Sequence, residues 1–256
     1  MSAPSSALVL DGVVKRYGTL RRTLALDGVS FQVPRGSVCG LIGPNGAGKT
    51  TVFASICGQL RLDDGSIDIL GGGPFDVERL KGRVGLLPQD AELGLSHTPM
   101  ELLVHLGLLQ GLGRGGARDA AARRLQDVDL ADRADKRIAT LSHGMRRRLA
   151  IATALLGEPE LVLLDEPMSG LDPAQVRSLR GLVIAQRGRR TMLISSHNLA
   201  ELEQVCDHVV LIDRGRCTLQ GPIAEVTGRA MVLTWTLGPG ELDLAALGEA
   251  LPGHEV

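Results

Sequence analysis

Gly43-Pro44-Asn45-Gly46-Ala47-Gly48-Lys49-Thr50-Thr51 decides how this chain is read. It fits the pattern G-x-x-x-x-G-K-[ST] at every defined position. Each defined residue type has a physical task. A polyphosphate is best held by backbone N–H groups that converge on it. Gly43, Gly46 and Gly48 let the backbone curl and approach without a Cβ in the way. Lys49 adds a point charge toward the outer phosphates, and the Thr50 hydroxyl is placed to ligate Mg²⁺.

The flanks supply the context that such a loop needs. Before it, Ser37-Val38-Cys39-Gly40-Leu41-Ile42 is a short, mostly apolar run, as expected of a buried parallel strand. After it, Val52, Phe53, Ile56, Cys57 and Leu60 recur at helical spacing. The loop therefore opens a helix, whose N-terminal dipole and free N–H groups favour an anion.

Farther along lies a second strong signal. Leu161-Val162-Leu163-Leu164 predicts a buried strand, and Asp165-Glu166-Pro167 follows at its C-terminal end. In open α/β sheets ligands bind at that end. Asp165 is suited to hold Mg²⁺, usually through water, and Glu166 to polarise an attacking water. Thr191-Met192-Leu193-Ile194-Ser195-Ser196 predicts another strand, which places His197 at the same sheet edge as a candidate γ-phosphate contact.

Between the two signals the chain reads as mixed strands and then helix. Ser66 to Leu70 and Val84 to Leu87 are strand candidates, and Gln89 follows the second. Such a Gln is a solvated loop residue unless its strand ends beside the phosphates. Thr98-Pro99-Met100-Glu101 is a capping box with Pro at the first helical position, so a helix runs from there to about Leu112. Gly111 to Gly116 reads as a break and Ala117 to Val128 as a second helix. Residues 98–140 are thus an all-helical insert. Leu141-Ser142-His143-Gly144-Met145 opens a third helix from Arg146 to Leu156. Ser142 is placed as an N-cap, and with Gly144 as a phosphate contact as well. Arg146-Arg147-Arg148 reads as a solvated or ion-paired face.

At the start, Leu8 to Val14 and the alternating Val29 to Val33 predict a half-exposed antiparallel sheet. Tyr17, the only tyrosine, is either a strand-end packing residue or a flat surface for a purine ring. At the other end, Ser169-Gly170-Leu171-Asp172-Pro173 turns into a helix to Ala185, and Asn198 to Cys206 reads as helical. Val209 to Ile212 and Cys217 to Leu219 form a hairpin around Asp213-Arg214-Gly215-Arg216. Met231 to Thr236 is a further strand candidate, and Leu242 to Leu251 an amphipathic segment with no functional reading.

Composition narrows the classes. With 256 residues, 28 Lys+Arg against 29 Asp+Glu and only 2% aromatics, the chain lacks the charge excess and stacking residues of a dedicated nucleic-acid binder. Cys39, Cys57, Cys206 and Cys217 show no C-x-x-C pairing and read as reduced core residues, which suits the cytosol. No apolar run approaches the ~18 residues of a membrane span, and no signal peptide is expected at the N-terminus. A membrane role would have to come through a partner.

Taken together, the motifs over roughly Leu8 to Gly221 resemble the ATP-binding cassette (ABC) family. The resemblance implies an α/β fold: a P-loop NTPase core of mainly parallel sheet with flanking helices, an N-terminal antiparallel β subdomain and an inserted α-helical subdomain. It implies an ATP-binding domain over residues 8–228, with 98–145 as its helical part, and a tail of unknown role over 229–256. Tyr17 falls where the family stacks adenine. Gly43, Pro44, Asn45, Gly46, Ala47, Gly48, Lys49, Thr50 and Thr51 match its phosphate loop. Gln89 falls in the loop linking ATP to the membrane partner, and with Thr50 and Asp165 among the metal contacts. Glu166 matches the catalytic acid and His197 the switch histidine. Ser142 and Gly144 belong to the signature, normally L-S-G-G-Q, in which His143 here replaces the first Gly and Met145 the Gln. Asp172 closes the inter-subunit loop.

The variant signature looks like that of ABC-2 type exporter ATPases. The resemblance then implies ATP and Mg²⁺ as ligands, and a second ATP-binding chain, a homodimer, packed head to tail. It also implies an integral membrane permease as partner, no nucleic acid, and a cytoplasmic position on the inner face of the membrane. A cassette ATPase acting on nucleic acid or ribosomes ranks behind it, because this chain has one cassette and no heptad run. A P-loop kinase ranks lower still, having no use for the signature or for Asp165-Glu166-Pro167.

Overall fold

The computed structural model describes residues 6–18 and 23–227. The expected strand at 231–236 and the amphipathic segment at 242–251 lie outside the described residues.

Six strands build the main sheet, in the order β5-β6-β7-β3-β8-β9. They are β3 (Val38–Ile42), β5 (Val84–Leu87), β6 (Leu161–Leu164), β7 (Thr191–Ser196), β8 (His208–Asp213) and β9 (Arg216–Pro222). The first five run parallel, and β9 returns antiparallel along β8. Its hairpin turns through Arg214 and Gly215, both at positive φ, the twist that suits tight two-residue connections. Every residue of β3, β6 and β7 is buried. Both faces of these strands are covered, which is why they read as continuous apolar runs rather than alternating ones.

A three-stranded antiparallel sheet covers one face, in the order β2-β1-β4, from β1 (Ser6–Tyr17), β2 (Thr23–Pro34) and β4 (Asp64–Ile69). Its Leu8, Phe31 and Ile69 meet Leu41, Leu163 and Leu193 of the main sheet, with Phe53 and Ile56 of α1 (Lys49–Ile56) between them. Side chains one position along, among them Val162, Leu164, Met192 and Ile194, point to the opposite face. There they pack on α5 (His143–Ala154), α6 (Pro173–Ile184) and α7 (Leu199–Glu203), through Ile151, Leu179 and Leu202.

A third core joins α3 (Pro99–Leu109) and α4 (Arg114–Asp127) to the back of α5, through Leu103, Leu125, Ile138 and Leu149. The insert is helical as expected, and the Thr98–Glu101 capping box is formed in both directions. Three features differ from the sequence reading. The glycine run does not end at Gly116: α4 starts at Arg114, so Gly115 and Gly116 lie in its first turn. Two helical glycines cost roughly 1 kcal/mol each, and burial of Ala120, Ala121 and Leu125 on the third core outweighs that. Helix α5 begins at His143 instead of Arg146, because Ser142 caps it, its Oγ accepting from the Met145 N–H. Helix α7 spans only Leu199–Glu203 of the expected 198–206. Two short α-helices, α2 (Val77–Leu80), which has too few residues for a periodic signal, and α8 (Ile223–Thr227), and two 3-10 turns, Ala131–Arg133 and Ile138–Thr140, complete the described chain.

Candidate functional site

Parallel register brings the strand ends together. Leu87 pairs with Leu164, Leu164 with Ile194, and Ile42 with Ser196. The residues that follow these ends are Gln89, Asp165-Glu166, His197 and the Gly43–Thr51 loop. Four segments far apart in sequence therefore meet at one sheet edge. A cavity of about 400 Å³ opens there, lined among others by Asn45, Lys49, Thr50, Gln89, Glu166 and His197.

Close packing explains why the loop begins with glycine. A Cβ on Gly43 would lie 2.2 Å from the Ile212 carbonyl oxygen, far inside contact distance. Gly48 has φ 109° and forms the N-cap of α1, so the loop delivers free N–H groups at a helix start. Lys49 is buried and its Nζ donates to the carbonyls of Gly43 (2.8 Å) and Pro44 (3.3 Å). That ammonium also stands 3.2 Å from Oε1 of Glu166.

Glu166 adopts φ +47°, a left-handed conformation uncommon for a residue other than Gly, Asn or Asp. Its Oε2 lies 3.1 Å from Nδ1 of His197. Because a carboxylate only accepts, this bond requires the tautomer or charge state with a proton on Nδ1. Asp165, 1% exposed, is held by Ser195, whose hydroxyl donates to Oδ1 at 2.5 Å. The same Ser195 oxygen accepts from the Glu166 N–H at 2.7 Å. Burial is the main cause that pushes the Asp165 carboxyl above its ordinary pKa, aided by the Glu166 charge and opposed by Ser195, Thr50 and Lys49.

Thr50 Oγ1 and Gln89 Oε1 lie 3.5 Å apart, and both line a recess with Asp165. Hydroxyl, amide and carboxylate oxygens beside a phosphate cavity are the hard donor set that Mg²⁺ prefers, so the residues present fit that ion.

Other expected positions lie elsewhere. None of Leu141 to Met145 lines the phosphate cavity, nor does Asp172. Ser142 and Gly144 sit at the start of α5, where a Cβ on Gly144 would run into the Gln175 side chain of α6. Asp172 caps α6, accepting from the N–H groups of Ala174 and Gln175. Tyr17 ends β1, part-exposed, with the Lys15 ammonium 5.7 Å from its ring centroid, and does not line the cavity.

The basic run on α5 is ion-paired at Arg148, whose Nη1 lies 3.3 Å from Oδ2 of Asp129. Arg147 departs from the expected solvated or ion-paired face: it turns inward and donates to backbone carbonyls, as Arg148 does in addition to its ion pair. Arg147 reaches Gln89, Asp165, Glu166 and Pro167, and Arg148 reaches Val128 and Asp129. Burial is the main cause that lowers the Arg147 pKa, with Asp165, Asp90 and Glu166 opposing it. Neither Ser195 nor Arg147 was visible as a site residue, since only the strand order brings their partners near.

A glycine-rich phosphate loop, a strand-end Asp-Glu pair and a histidine on the adjacent strand end define a P-loop ATPase. The family model described as ABC transporter matches residues 26–169. The chain belongs to that family and is an ATP-binding ATPase. It is 40% identical over 232 residues to daunorubicin resistance ATP-binding protein DrrA3 of Streptomyces coeruleorubidus, covering 86% of this chain and 70% of that protein. It is 37% identical over 259 residues to doxorubicin resistance ATP-binding protein DrrA of Mycobacterium tuberculosis, covering 97% and 77%. Nod factor export ATP-binding protein I of Ralstonia nicotianae is 38% identical over 220 residues, covering 84% and 66%. Among solved structures, cbiO1 from Clostridium perfringens, part of the ABC transporter complex cbiONQ, superposes with a TM-score of 0.77 at 29% identity. That match covers 88% of this chain and 91% of that one.

Proposed function

We propose that residues 8–228 form an ATP-binding domain that powers a membrane exporter, through head-to-tail pairing of two copies around ATP. In this reading the Gly43–Thr51 loop cradles the phosphates and Lys49 turns to the outer ones. Thr50, Gln89 and Asp165 would hold Mg²⁺, which when bound neutralises phosphate charge. Glu166 polarises the attacking water and His197 contacts the γ-phosphate. Tyr17 stacks the base. Ser142 and Gly144 of one copy complete the site of the other, and Asp172 closes the loop between copies. This division of labour makes ATP a clasp between chains, released on hydrolysis. The work of the site is positioning and charge stabilisation.

The observation that carries the reading is the bracketing of Glu166 between Lys49 at 3.2 Å and His197 at 3.1 Å, with all three lining the phosphate cavity. The signature residues are absent from that cavity, which supports a site finished by a second chain. Export as the direction, and a drug, antibiotic, lipid or polysaccharide as cargo, are supported by relatives whose names include drug resistance and Nod factor export. No helix among the described residues is long and apolar enough to cross a membrane. The membrane step is accordingly assigned to a permease docked near Gln89, with this chain peripheral on the inner face. Nucleic acid has no part in the reading.

The test is Glu166→Gln. It should keep ATP affinity, lower turnover by about a hundredfold or more and accumulate a nucleotide-bound dimer in light scattering. Unchanged turnover removes Glu166 from its role. Identification of the membrane protein that co-purifies with the chain tests the transport half.

A further inference from the structure

Arg147 sits in the second turn of α5, five positions after the capping Ser142. Its guanidinium makes four donations, all to backbone carbonyls of the two turns that carry the site. Nε donates to Pro167 at 3.1 Å and Nη1 to Gln89 at 3.1 Å. Nη2 donates to Asp165 at 3.2 Å and to Glu166 at 2.6 Å. Three acceptors are consecutive residues leaving β6, and the fourth lies just after β5.

The Glu166 peptide groups are thus held from both sides. Its N–H is taken by Ser195 Oγ and its carbonyl by Arg147 Nη2. Between these grips Glu166 keeps its φ of +47°. Such a conformation persists when surrounding groups over-determine it. It also sets the direction in which the side chain leaves the backbone, toward Lys49 and His197.

We propose that Arg147 is a positioning residue for ATP hydrolysis: it holds the turn after β6 so that the Glu166 carboxylate faces the phosphates, and keeps the Gln89 turn in register with it. This rests on the reading of Glu166 as the group that polarises water. The geometry needs arginine. A planar guanidinium with five N–H groups in a fixed fork spans four separated carbonyls. A lysine ammonium is a point donor with three, and reaches one turn or the other.

The experiment compares Arg147→Lys and Arg147→Ala with Glu166→Gln in the full chain. It measures affinity for ATP, steady-state turnover and melting temperature. Both Arg147 variants should keep ATP affinity within about twofold and lose at least about tenfold in kcat, since misplacing a reacting group by a fraction of its contact distance costs rate more than binding. Arg147→Lys should melt near the wild type yet not recover turnover. Normal turnover in Arg147→Lys, beside a dead Glu166→Gln, overturns the proposal and leaves the Glu166 reading intact. Parallel losses of affinity, turnover and melting temperature, or loss of the fold in both Arg147 variants, make the residue structural and overturn it too. Normal turnover in Glu166→Gln takes both readings down together.

Discussion

The Nζ of Lys49 lies 3.2 Å from Oε1 of Glu166, and both side chains are less than a tenth exposed. The loop cation and the strand-end carboxylate, from segments far apart in the chain, thus share one pocket floor. An ammonium has three donors. Here they serve the Gly43 carbonyl, the Pro44 carbonyl and Glu166. A phosphate that recruits Lys49 must draw on one of these. If it draws on the last, it frees the carboxylate for water at the moment the triphosphate is seated.

Lys49→Ala should therefore act twice. Affinity for ATP should fall by at least about tenfold, the scale of a lost charge-assisted contact to phosphate. Without nucleotide the variant should also melt lower, because Glu166 stays buried with only His197 beside it. Breaking a buried pair costs up to about 3 kcal/mol in a site as open as this cavity. Fluorescent-nucleotide titration reads the first effect and a nucleotide-free melt the second. Normal affinity would contradict the assignment of Lys49, and an unchanged melt would contradict the pair.

Ser195 is fully buried and its hydroxyl is used in both directions, donating to Asp165 and accepting from the Glu166 N–H. Ser195→Ala removes both partners at once. The cost should be about 2 kcal/mol or more, the penalty of leaving a buried N–H and a carboxylate oxygen short of a partner. Chemical denaturation should show the midpoint lowered with its slope unchanged. Turnover should fall with it, since the Glu166 N–H loses the partner that holds it. A variant of full stability and full turnover would show that water replaces the hydroxyl at no loss.

How far the site could be read in advance depends on how local each signal is. The Gly43–Thr51 loop, the Leu161–Leu164 strand with its two acids and the Thr98 capping box are runs of neighbours whose spacing carries the physics. Ser195 and Arg147 are different. A serine in an apolar strand and one arginine of three announce nothing until β7 lies beside β6 and α5 crosses the strand ends. The break expected at Gly115 and Gly116 failed for a related reason: propensity is local, while the apolar face of α4 is decided by what it packs on. Three of the four cysteines expected in the core are there: Cys39, Cys57 and Cys206 are buried and free, and burial raises the Cys57 and Cys206 thiols to about 12, which makes them inert, whereas Cys217 on the edge strand β9 is only part-buried.

Asp165 gives a prediction in which stability and activity move in opposite directions. Its pKa in the folded chain is raised, first by burial and then by the nearby Glu166 charge. The folded state therefore binds this proton more tightly than the unfolded state does. By linkage, ionised Asp165 costs stability above the raised pKa, and the cost fades as pH falls through that value toward the ordinary carboxylate range. Asparagine is neutral at every pH and keeps an Oδ1 that accepts from Ser195. Asp165→Asn without nucleotide or divalent cation should thus melt higher than wild type at neutral pH, and the gap should close as the medium is made acidic. The same change should weaken the stabilisation that Mg²⁺ adds to bound ATP and lower turnover, because a carboxylate is the stronger partner for a hard cation. Melts across a pH series, run with ATP and either Mg²⁺ or a chelator, separate the two effects. A variant that melts lower at neutral pH, or a gap that ignores pH, would mean that Ser195 and Lys49 compensate the buried charge in full.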